Sequence, residues 1–160
     1  MERKAYEAYL LLKEALLREN IQVDLDSAYR SIEEQRDLTV RFTAQYGEDY
    51  VSKYVAVPGY SEHHTGLALD LYLNIDGRDV FLNEEMVQYP EIWEKIHAEL
   101  AKYGFILRYM EQKEEITGYA YEPWHIRYIG SAETAGYIMT AGITLEEYLG
   151  AIPETPWTVE

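Results

Sequence analysis

The fold of this chain is decided by the stretch Pro58-Gly59-Tyr60-Ser61-Glu62-His63-His64-Thr65-Gly66-Leu67-Ala68-Leu69-Asp70. It opens with two turn-forming residues, and a polar run follows them. Gly66 then begins an apolar segment, 67–73, that predicts a buried strand. The pattern therefore places His63 in a loop and Asp70 on the strand that follows this loop.

Zinc binding is one chemistry that this arrangement can support. Neutral imidazole nitrogens and carboxylate oxygens are ordinary zinc ligands, and a catalytic zinc site takes three protein ligands while keeping one position open. The chain has four histidines, at positions 63, 64, 97 and 125. His97 lies within a strongly helical segment, 90–103, where we expect a half-exposed helix residue rather than a ligand.

His125 has a different setting, because it closes the sequence Glu122-Pro123-Trp124-His125. The proline predicts a turn, which would bring a carboxylate and an imidazole together beside a bulky aromatic side chain. One of the two can bind a metal while the other transfers protons. A plainer interpretation of His63, Asp70 and His125 is a surface histidine, a strand-end aspartate and a packed core histidine. The sequence also lacks the His-Glu-x-x-His helix signature of common zinc peptidases.

A resemblance to a known family favours the zinc site. Two segments of the chain resemble the two signature blocks of the VanY-type zinc D,D-carboxypeptidases, which the related L,D-carboxypeptidases and VanX-type dipeptidases share. The segments are Ser61-x-His63-x-x-Gly66-x-Ala68-x-Asp70 and Glu122-x-Trp124-His125-x-Arg127-Tyr128. A third family block, Ser-Gly-Tyr-Arg-Ser-x-x-x-Gln, is similar to Ser27-Ala28-Tyr29-Arg30-Ser31-x-x-x-Gln35. The approach to the catalytic strand resembles Tyr103-Gly104-Phe105-Ile106-Leu107-Arg108-Tyr109, followed by Ile116-Thr117-Gly118. The resemblance extends over residues 23–130.

The resemblance implies a peptidase with one zinc ion per chain, bound by His63, Asp70 and His125. Zinc in such a site lowers the pKa of its bound water from about 15.7 towards roughly 7. Glu122 is then implied as the general base in the attack on the scissile carbonyl. It would also be the general acid that protonates the departing amine.

The resemblance also implies a pocket for the end of the substrate. Arg30 would bind the terminal carboxylate, since a planar guanidinium can donate two parallel charge-assisted hydrogen bonds to it. Ser61 would add a hydrogen bond to the same end of the substrate, and Gln35 would support the pocket. Trp124 is expected to form a wall of the site, and Tyr29 is assigned to the same pocket.

Three residues inside the two signature blocks are not expected to take part in the reaction. Arg127 and Tyr128 are expected to hold the strand and the ligands in place. His64 stands where this family often has glutamine. Adjacent residues of an extended segment point to opposite sides, so we expect the ring of His64 to be turned away from the metal.

The substrate implied by the resemblance is a peptidoglycan stem peptide, or its precursor, that ends in D-alanine. A pocket that binds a free carboxylate through Arg30 favours a carboxypeptidase over an endopeptidase. The predicted function is therefore that of a D-alanyl-D-alanine carboxypeptidase. The alternatives are an L,D-carboxypeptidase acting on tetrapeptide stems, a dual-function D,D-dipeptidase and carboxypeptidase, or a non-catalytic module that binds zinc or wall peptide. Glu122 argues against the last alternative.

Composition limits the partners and the compartment. The chain has 160 residues, with 14 basic against 29 acidic residues and a net charge of −15. This charge argues against nucleic acid or an anionic membrane surface as a partner. No cysteine occurs, and no apolar run is long enough to span a membrane. Acidic residues also occupy the start of the chain, where a signal peptide has an apolar core. We expect the bacterial cell envelope, where the substrate lies, if a leader or anchor was removed, and the cytoplasm otherwise.

The length suits one domain over residues 1–160, with a motif core at 23–130 and C-terminal helices at 131–150. Amphipathic patterns and capping boxes predict helices at 2–19, 31–46, 90–103, 131–141 and 144–149, and a short helix or turn is expected at 49–57. Strands are predicted at 21–25, 67–73, 79–82, 105–108 and, with a turn, 119–129. We expect a charged loop at 111–115 and an irregular tail containing Pro153 and Pro156. The fold class is α+β, a small mostly antiparallel sheet flanked by helices. The resemblance implies the hedgehog/D,D-peptidase-like zinc fold, with three strands supplying the site.

Overall fold

The computed structural model describes residues 1–150. Its helices are α1 (Arg3–Arg18), α2 (Ile32–Tyr46), α3 (Glu48–Tyr54), α4 (Asn83–Met86), α5 (Pro90–Leu100), α6 (Glu114–Thr117), α7 (Ala132–Ala141) and α8 (Leu145–Leu149). Its strands are β1 (Gln22–Ser27), β2 (Ala68–Ile75), β3 (Arg78–Val80), β4 (Phe105–Tyr109) and β5 (Glu122–Tyr128). Two 3₁₀ turns occur at Glu62–Thr65 and Ala101–Tyr103. None of the helices within residues 1–150 has the length and apolar character needed to cross a membrane. The tail with Pro153 and Pro156 lies outside the described residues.

The strands form one antiparallel sheet in the order β1-β2-β5-β4, and β3 pairs with the far end of β2. This confirms the predicted α+β fold with a mostly antiparallel sheet. β2 is paired with β1 on one side, and on its other side it meets β5 first and then β3. In the β2–β5 register Asp70 lies directly opposite His125. Directly opposite side chains project from the same face of a sheet, so two of the predicted ligands are neighbours.

Two helices cover one face of the sheet and form the main core with it. Apolar residues recur along α1 and α5 at helical spacing, and the buried ones are Ala5, Tyr9, Leu12, Leu16, Trp93, Ile96 and Leu100. They pack against alternate residues of β2, namely Leu69, Leu71 and Leu73. Because successive side chains of a strand alternate between its two faces, Asp70 projects away from this core.

The segment 122–125 differs from the turn that its proline predicts, because these residues begin strand β5. The pairing of β4 with β5 passes from Leu107↔Ile126 to Tyr109↔Glu122, a step of two residues on β4 and four on β5. Such a bulge leaves residues without ladder partners, which suits Pro123 because it has no N–H to donate. The bulge also changes the direction of the strand between Glu122 and His125.

The charged segment 111–115 is a further difference. It was expected to form a loop, but its end belongs to the short helix α6, which ends at Gly118 with a φ of +80°. The expected hairpin at Asp76-Gly77 and the helix stop at Gly104 are confirmed, since all three residues have positive φ values. These turns connect β2 to β3 and α5 to β4.

Helix α2 begins at the capping box predicted from the sequence. The Ser31 hydroxyl accepts a hydrogen bond from the amide of Glu34, and the Glu34 carboxylate accepts one from the amide of Ser31. Gln35 is the buried residue of this helix. Since α2 contributes so little to the core, its first turn depends on the cap.

We expect the Ser31→Ala variant to lower the free energy of unfolding by about 1 kcal/mol, because the variant loses the side-chain acceptor of the cap. Urea denaturation measures this loss. Ser52→Ala, at an exposed position in α3, is the control and should stay within about 0.5 kcal/mol of the parent protein. Equal stability of the two variants would show that the capping box does not stabilise α2.

The C-terminal helices pack on the opposite side of β4 from α5. Ala135 and Ile138 of α7 form a small cluster with Ile106 of β4. Helix α8 has the predicted capping box between Thr144 and Glu147. Glu146 of α8 accepts hydrogen bonds from the guanidinium of Arg108 of β4.

Candidate active site and metal centre

A cavity of about 510 Å³ lies on the side of the sheet towards which Asp70 projects. Its lining includes most of the predicted site residues, namely Arg30, Gln35, Ser61, His63, Asp70, Glu122, Trp124 and His125. They come from four parts of the chain: the β1–α2 connection with α2, the 3₁₀ turn Glu62–Thr65, strand β2 and strand β5. The cavity therefore joins the blocks that the sequence analysis treated separately.

His63, Asp70 and His125 form a compact group at the base of this cavity. His63 Nε2 lies 3.0 Å from Asp70 Oδ2, and His125 Nδ1 lies 2.9 Å from Asp70 Oδ1. The potential ligand atoms all lie within 4.8 Å of one another. Within residues 1–150 this is the one group of three or more such side chains that could hold a metal ion.

The donor set fits a zinc ion. Two imidazole nitrogens and one carboxylate supply three ligands, the number typical of a catalytic zinc site with an open position. Asp70 Oδ1 is buried and, despite its nearness to His125, has no aligned hydrogen-bond partner. A buried acceptor without a partner needs an explanation, and a cation shared by these side chains supplies one.

The two imidazole rings have different surroundings behind the group. His63 Nδ1 contacts the backbone carbonyl of Ala28, which leaves Nε2 directed towards Asp70. An outer contact of this kind fixes the tautomer and ring orientation of a metal-binding histidine. His125 Nε2 lies 3.6 Å from Glu62 Oε2 and has no hydrogen-bond partner within residues 1–150, and its Nδ1 faces Asp70.

The charges of the group are strongly coupled. Burial alone would raise the pKa of Asp70, but the two neighbouring imidazoles hold it well below its usual range. Burial would likewise lower the pKa of His125, but the Asp70 carboxylate outweighs burial and raises it to about 10. Without a metal, this raised pKa favours the protonated form of His125 at neutral pH.

Zinc binding at pH 7 is expected to release about one proton, because the raised pKa of His125 keeps the metal-free ring protonated and zinc binds the neutral ring. The apparent zinc affinity should rise by about tenfold per pH unit between roughly pH 7 and 9. Titration calorimetry in buffers of different ionisation enthalpy counts the protons.

His97→Gln is the matched control for this measurement. Burial lowers the pKa of His97, so this ring is neutral at pH 7 and adds no proton to the count. The variant should release as many protons as the parent protein. Zinc binding without proton release would contradict the charge state assigned to His125.

Glu122 lies next to the group at the start of β5 and is almost fully buried. Its Oε2 atom is 3.7 Å from His125 Nδ1, so it borders the ligand atoms without a direct hydrogen bond to them. Burial raises the pKa of Glu122 to about 8. A carboxyl group with such a pKa can both accept and donate a proton near neutral pH.

Arg30 lies on the other side of the group, with its guanidinium nitrogen Nη2 3.9 Å from Asp70 Oδ2. Its guanidinium donates to Gln35 Oε1 at 2.9 Å and to Ser27 Oγ at 2.7 Å. Gln35 in turn donates to the backbone carbonyl of Ala56. Two of the five N–H donors of Arg30 thus fix the orientation of its guanidinium. Gln35 accepts one of these bonds, which is a contact that a residue supporting the pocket would make.

The remaining predicted pocket residues are not all brought together. Ser61 is buried, lines the cavity and accepts a hydrogen bond from the amide of His63. Trp124 is buried at the cavity wall, as expected. Tyr29 departs from its assignment, because its side chain is 57% exposed and does not line the cavity. The neighbouring Arg30 points into the cavity, and the side chain of Tyr29 projects outward instead.

His64 is turned away from the group, although for a reason other than the one expected. The segment is a 3₁₀ turn and not an extended strand. The ring is held by backbone groups, with Nδ1 near the carbonyl of Arg30 and Nε2 near the amide of Gly59. His97, half-buried on α5, contacts the carbonyl of Pro123 and is not part of the group.

Glu62 is a site residue that the sequence analysis missed. Its Oε1 atom accepts hydrogen bonds from Arg108 Nε at 2.8 Å and Arg127 Nη1 at 2.7 Å. Burial would raise the pKa of Glu62, but His125 and the two guanidinium groups hold it well below its usual range. Arg127 thus lies where it can hold Glu62 in place. The position of Glu62 between two signature residues was the feature of the sequence that could have indicated its role.

An aromatic wall was also missed. Phe42, Tyr46, Tyr50 and Tyr54 recur at every fourth position along α2 and α3 and all line the cavity. Their rings form a contiguous row, with centroids 5.4, 4.7 and 4.8 Å apart along it. Repetition every four residues was the signal, because within each helix it places two rings on one face, Phe42 with Tyr46 on α2 and Tyr50 with Tyr54 on α3.

Comparison with known proteins agrees with this geometry. The sequence profile of the VanY family, described as D-alanyl-D-alanine carboxypeptidase, matches residues 1–131. The chain belongs to the VanY family. This confirms the resemblance drawn from the four sequence blocks.

One relative of this VanY-family chain is YodJ of Bacillus subtilis (strain 168), which is 38% identical over 149 residues. The match covers 92% of this chain and 53% of YodJ. This chain therefore spans about half the length of that relative.

Two solved structures of similar proteins have the same fold. The LdcB LD-carboxypeptidase is 34% identical with a TM-score of 0.81, over 98% of this chain and 80% of LdcB. A variant of the VanY D,D-pentapeptidase in complex with Zn(II) is 33% identical with a TM-score of 0.79, over 93% of this chain and 83% of that protein. The Zn(II) complex is consistent with the His-Asp-His group of this chain.

Proposed function

We propose that this VanY-family chain is a zinc-dependent D-alanyl-D-alanine carboxypeptidase that removes the terminal D-alanine from peptidoglycan stem peptides or their precursors. One observation carries the proposal: a single cavity holds the His63, Asp70 and His125 group, with Glu122 on one side and the guanidinium of Arg30 on the other. Metal ligands, a proton-transfer group and a carboxylate-binding group are the parts that such a reaction needs.

The three ligand side chains would hold one zinc ion per chain. Bound zinc would supply Lewis acidity. It would polarise a carbonyl group and lower the pKa of a water molecule, so that this water loses a proton more readily and becomes a better nucleophile. The Zn(II) complex of the VanY relative supports this choice of metal.

Glu122 would move the proton between the attacking water and the departing amine. Its carboxyl group borders the ligand atoms, and its burial gives it a pKa of about 8. A positive charge on the neighbouring ligands would favour the carboxylate form, which is the form that takes a proton from water. Once protonated, the same group can donate to the amine, because the pKa lies close to the working pH.

Arg30 would bind the carboxylate at the end of the substrate. Gln35 and Ser27 hold the guanidinium in place, and its other N–H groups are free to bind a ligand in the cavity. A peptide bond in the middle of a chain has no carboxylate to offer, so the remaining N–H groups of this partly buried guanidinium would gain no charged partner from it. Recognition of a chain end by Arg30 therefore favours a carboxypeptidase.

The cavity also favours a substrate longer than a dipeptide. It continues from the ligand group to the aromatic wall of Phe42, Tyr46, Tyr50 and Tyr54. Aromatic rings can contact the backbone and the apolar side chains of a peptide. We therefore propose that the wall contacts the stem residues that precede the terminal D-alanines, which favours carboxypeptidase activity over dipeptidase activity.

An L,D-carboxypeptidase acting on tetrapeptide stems is the second candidate. The likeness to the LdcB LD-carboxypeptidase over almost the whole chain favours it. The ligand group and Arg30 would serve both reactions, because each removes a terminal D-alanine. The choice between them depends on the residue before the scissile bond.

Release of D-alanine from paired synthetic peptides tests the proposal. Mass spectrometry would follow a pentapeptide ending in D-Ala-D-Ala and a tetrapeptide ending in a single D-Ala, each with and without a chelator. We expect chelator-sensitive cleavage of the pentapeptide and little cleavage of the tetrapeptide. The reverse preference would favour the L,D reaction. Cleavage of neither by the zinc-loaded protein would favour the non-catalytic module.

The cell envelope is the proposed place of action, because the substrate of this reaction is located there. Fractionation of cells that produce the full-length protein tests it, with detection by antibody. Recovery in the cytoplasmic fraction would point to soluble wall precursors as the substrate instead.

A further inference from the structure

Residues 28–30 are attached to the 3₁₀ turn that carries His63. The amide of Arg30 donates to the carbonyl of His63 at 3.2 Å, and His63 Nδ1 contacts the carbonyl of Ala28. His64 adds a contact of its own, because its Nδ1 lies 2.7 Å from the carbonyl of Arg30. The backbone of Arg30 is therefore bonded to this turn through both its amide and its carbonyl.

The two nitrogens of the His64 ring have opposite roles. A carbonyl oxygen only accepts hydrogen bonds, so Nδ1 must carry the proton. Nε2 is then an acceptor, and the amide of Gly59 donates to it at 3.1 Å. Gly59 has a φ of +100°, a conformation that favours glycine. One neutral ring thus connects the backbone of Arg30 to the turn at residues 57–60.

We propose that His64 is a positioning residue that fixes Arg30 relative to the ligand group and so determines where the substrate carboxylate binds. This inference rests on the proposed function of Arg30. Gln35 and Ser27 hold the guanidinium end of Arg30, whereas His64 holds its backbone end. A binding group needs both, because a displacement of about 1 Å is enough to weaken a productive arrangement.

The donor and acceptor pattern of His64 suggests a matched pair of variants. A glutamine amide, like the neutral ring, has a nitrogen that donates and a second atom that accepts, so His64→Gln can keep both contacts. His64→Leu retains an apolar side chain of similar size and can make neither contact. A side chain that only filled space would tolerate leucine at least as well as glutamine.

The first measurement is steady-state kinetics on the pentapeptide ending in D-Ala-D-Ala. We expect His64→Leu to raise KM by about tenfold with kcat within about twofold of the parent value, since the hydrogen bonds of His64 act on binding geometry. The zinc content should stay unchanged. His64→Gln should restore KM to within about twofold. Tyr60→Ala, at a 75% exposed neighbouring position, is the control and should leave KM unchanged.

The second measurement does not depend on turnover. Hydrogen–deuterium exchange of the zinc-loaded protein should show faster exchange at residues 28–31 in His64→Leu, and parent-like exchange in His64→Gln. Parent-like exchange and KM in His64→Leu would overturn the proposal, as would equal impairment in both variants. If the parent protein cleaves no D-alanine peptide, the proposed function fails, and the exchange data still decide whether His64 holds Arg30.

Discussion

The Glu122→Gln variant is expected to lose turnover of the pentapeptide by about 10²- to 10⁴-fold, the usual contribution of a general acid–base group. Glutamine has nearly the same shape as glutamate and cannot accept a proton from water. Glu122 borders the ligand atoms without belonging to the ligand group. The variant should therefore bind zinc as the parent protein does, and KM should change little.

Single-turnover kinetics and metal analysis on the same preparation measure the two effects separately. Glu115→Gln, which changes an exposed glutamate of α6, is the control for the loss of one acidic charge and should keep parent activity. Unchanged turnover in Glu122→Gln would exclude Glu122 as the proton-transfer group. Loss of zinc in this variant would instead show that Glu122 contributes to metal binding.

The Arg30→Lys variant is expected to lower kcat/KM for the pentapeptide by about 10- to 100-fold, mostly through KM. Lysine keeps the positive charge, so the loss reports the planar fork of donors rather than the charge. An ammonium group also cannot donate to Gln35, Ser27 and a carboxylate in the geometry that the guanidinium allows.

Steady-state kinetics at several pentapeptide concentrations measure this effect, and circular dichroism checks that the variant is folded. Arg36→Lys, at an exposed position of α2, is the matched control and should behave like the parent. An unchanged KM in Arg30→Lys would mean that the substrate carboxylate binds elsewhere in the cavity. The carboxypeptidase assignment would then lose its structural basis.

The sequence predicted the fold and most of the site because local signals and long motifs agreed. An apolar run after Gly66 located β2, and helical spacing together with capping boxes located α1, α2 and α8. The two signature blocks held the three ligand candidates, and the register of β2 with β5 shows why they meet, since Asp70 lies opposite His125. Such pairing depends on contacts distant in sequence, which spacing alone does not give.

The features that escaped prediction depend on tertiary structure. Pro123 signals a turn in isolation, but a bulge in β5 accommodates it without ending the strand. Glu62 resembles a solvent-exposed loop acid until Arg108 and Arg127 converge on it from β4 and β5. The outward direction of Tyr29 likewise follows from the inward direction of Arg30, which the sequence did not show.

The contacts of Arg108 show how far the side chains around the candidate site extend along the chain. This buried guanidinium binds Glu62 on one side and Glu146 of α8 on the other. The VanY profile ends at residue 131, so part of the electrostatic balance around the site comes from beyond the recognised family region. A chain shortened to that region would leave Arg108 with half of its counter-charge and would expose Ile106 of β4, which α7 covers. The smallest unit that can be grafted, fused or exchanged between relatives is therefore expected to be longer than the family profile and to include α8.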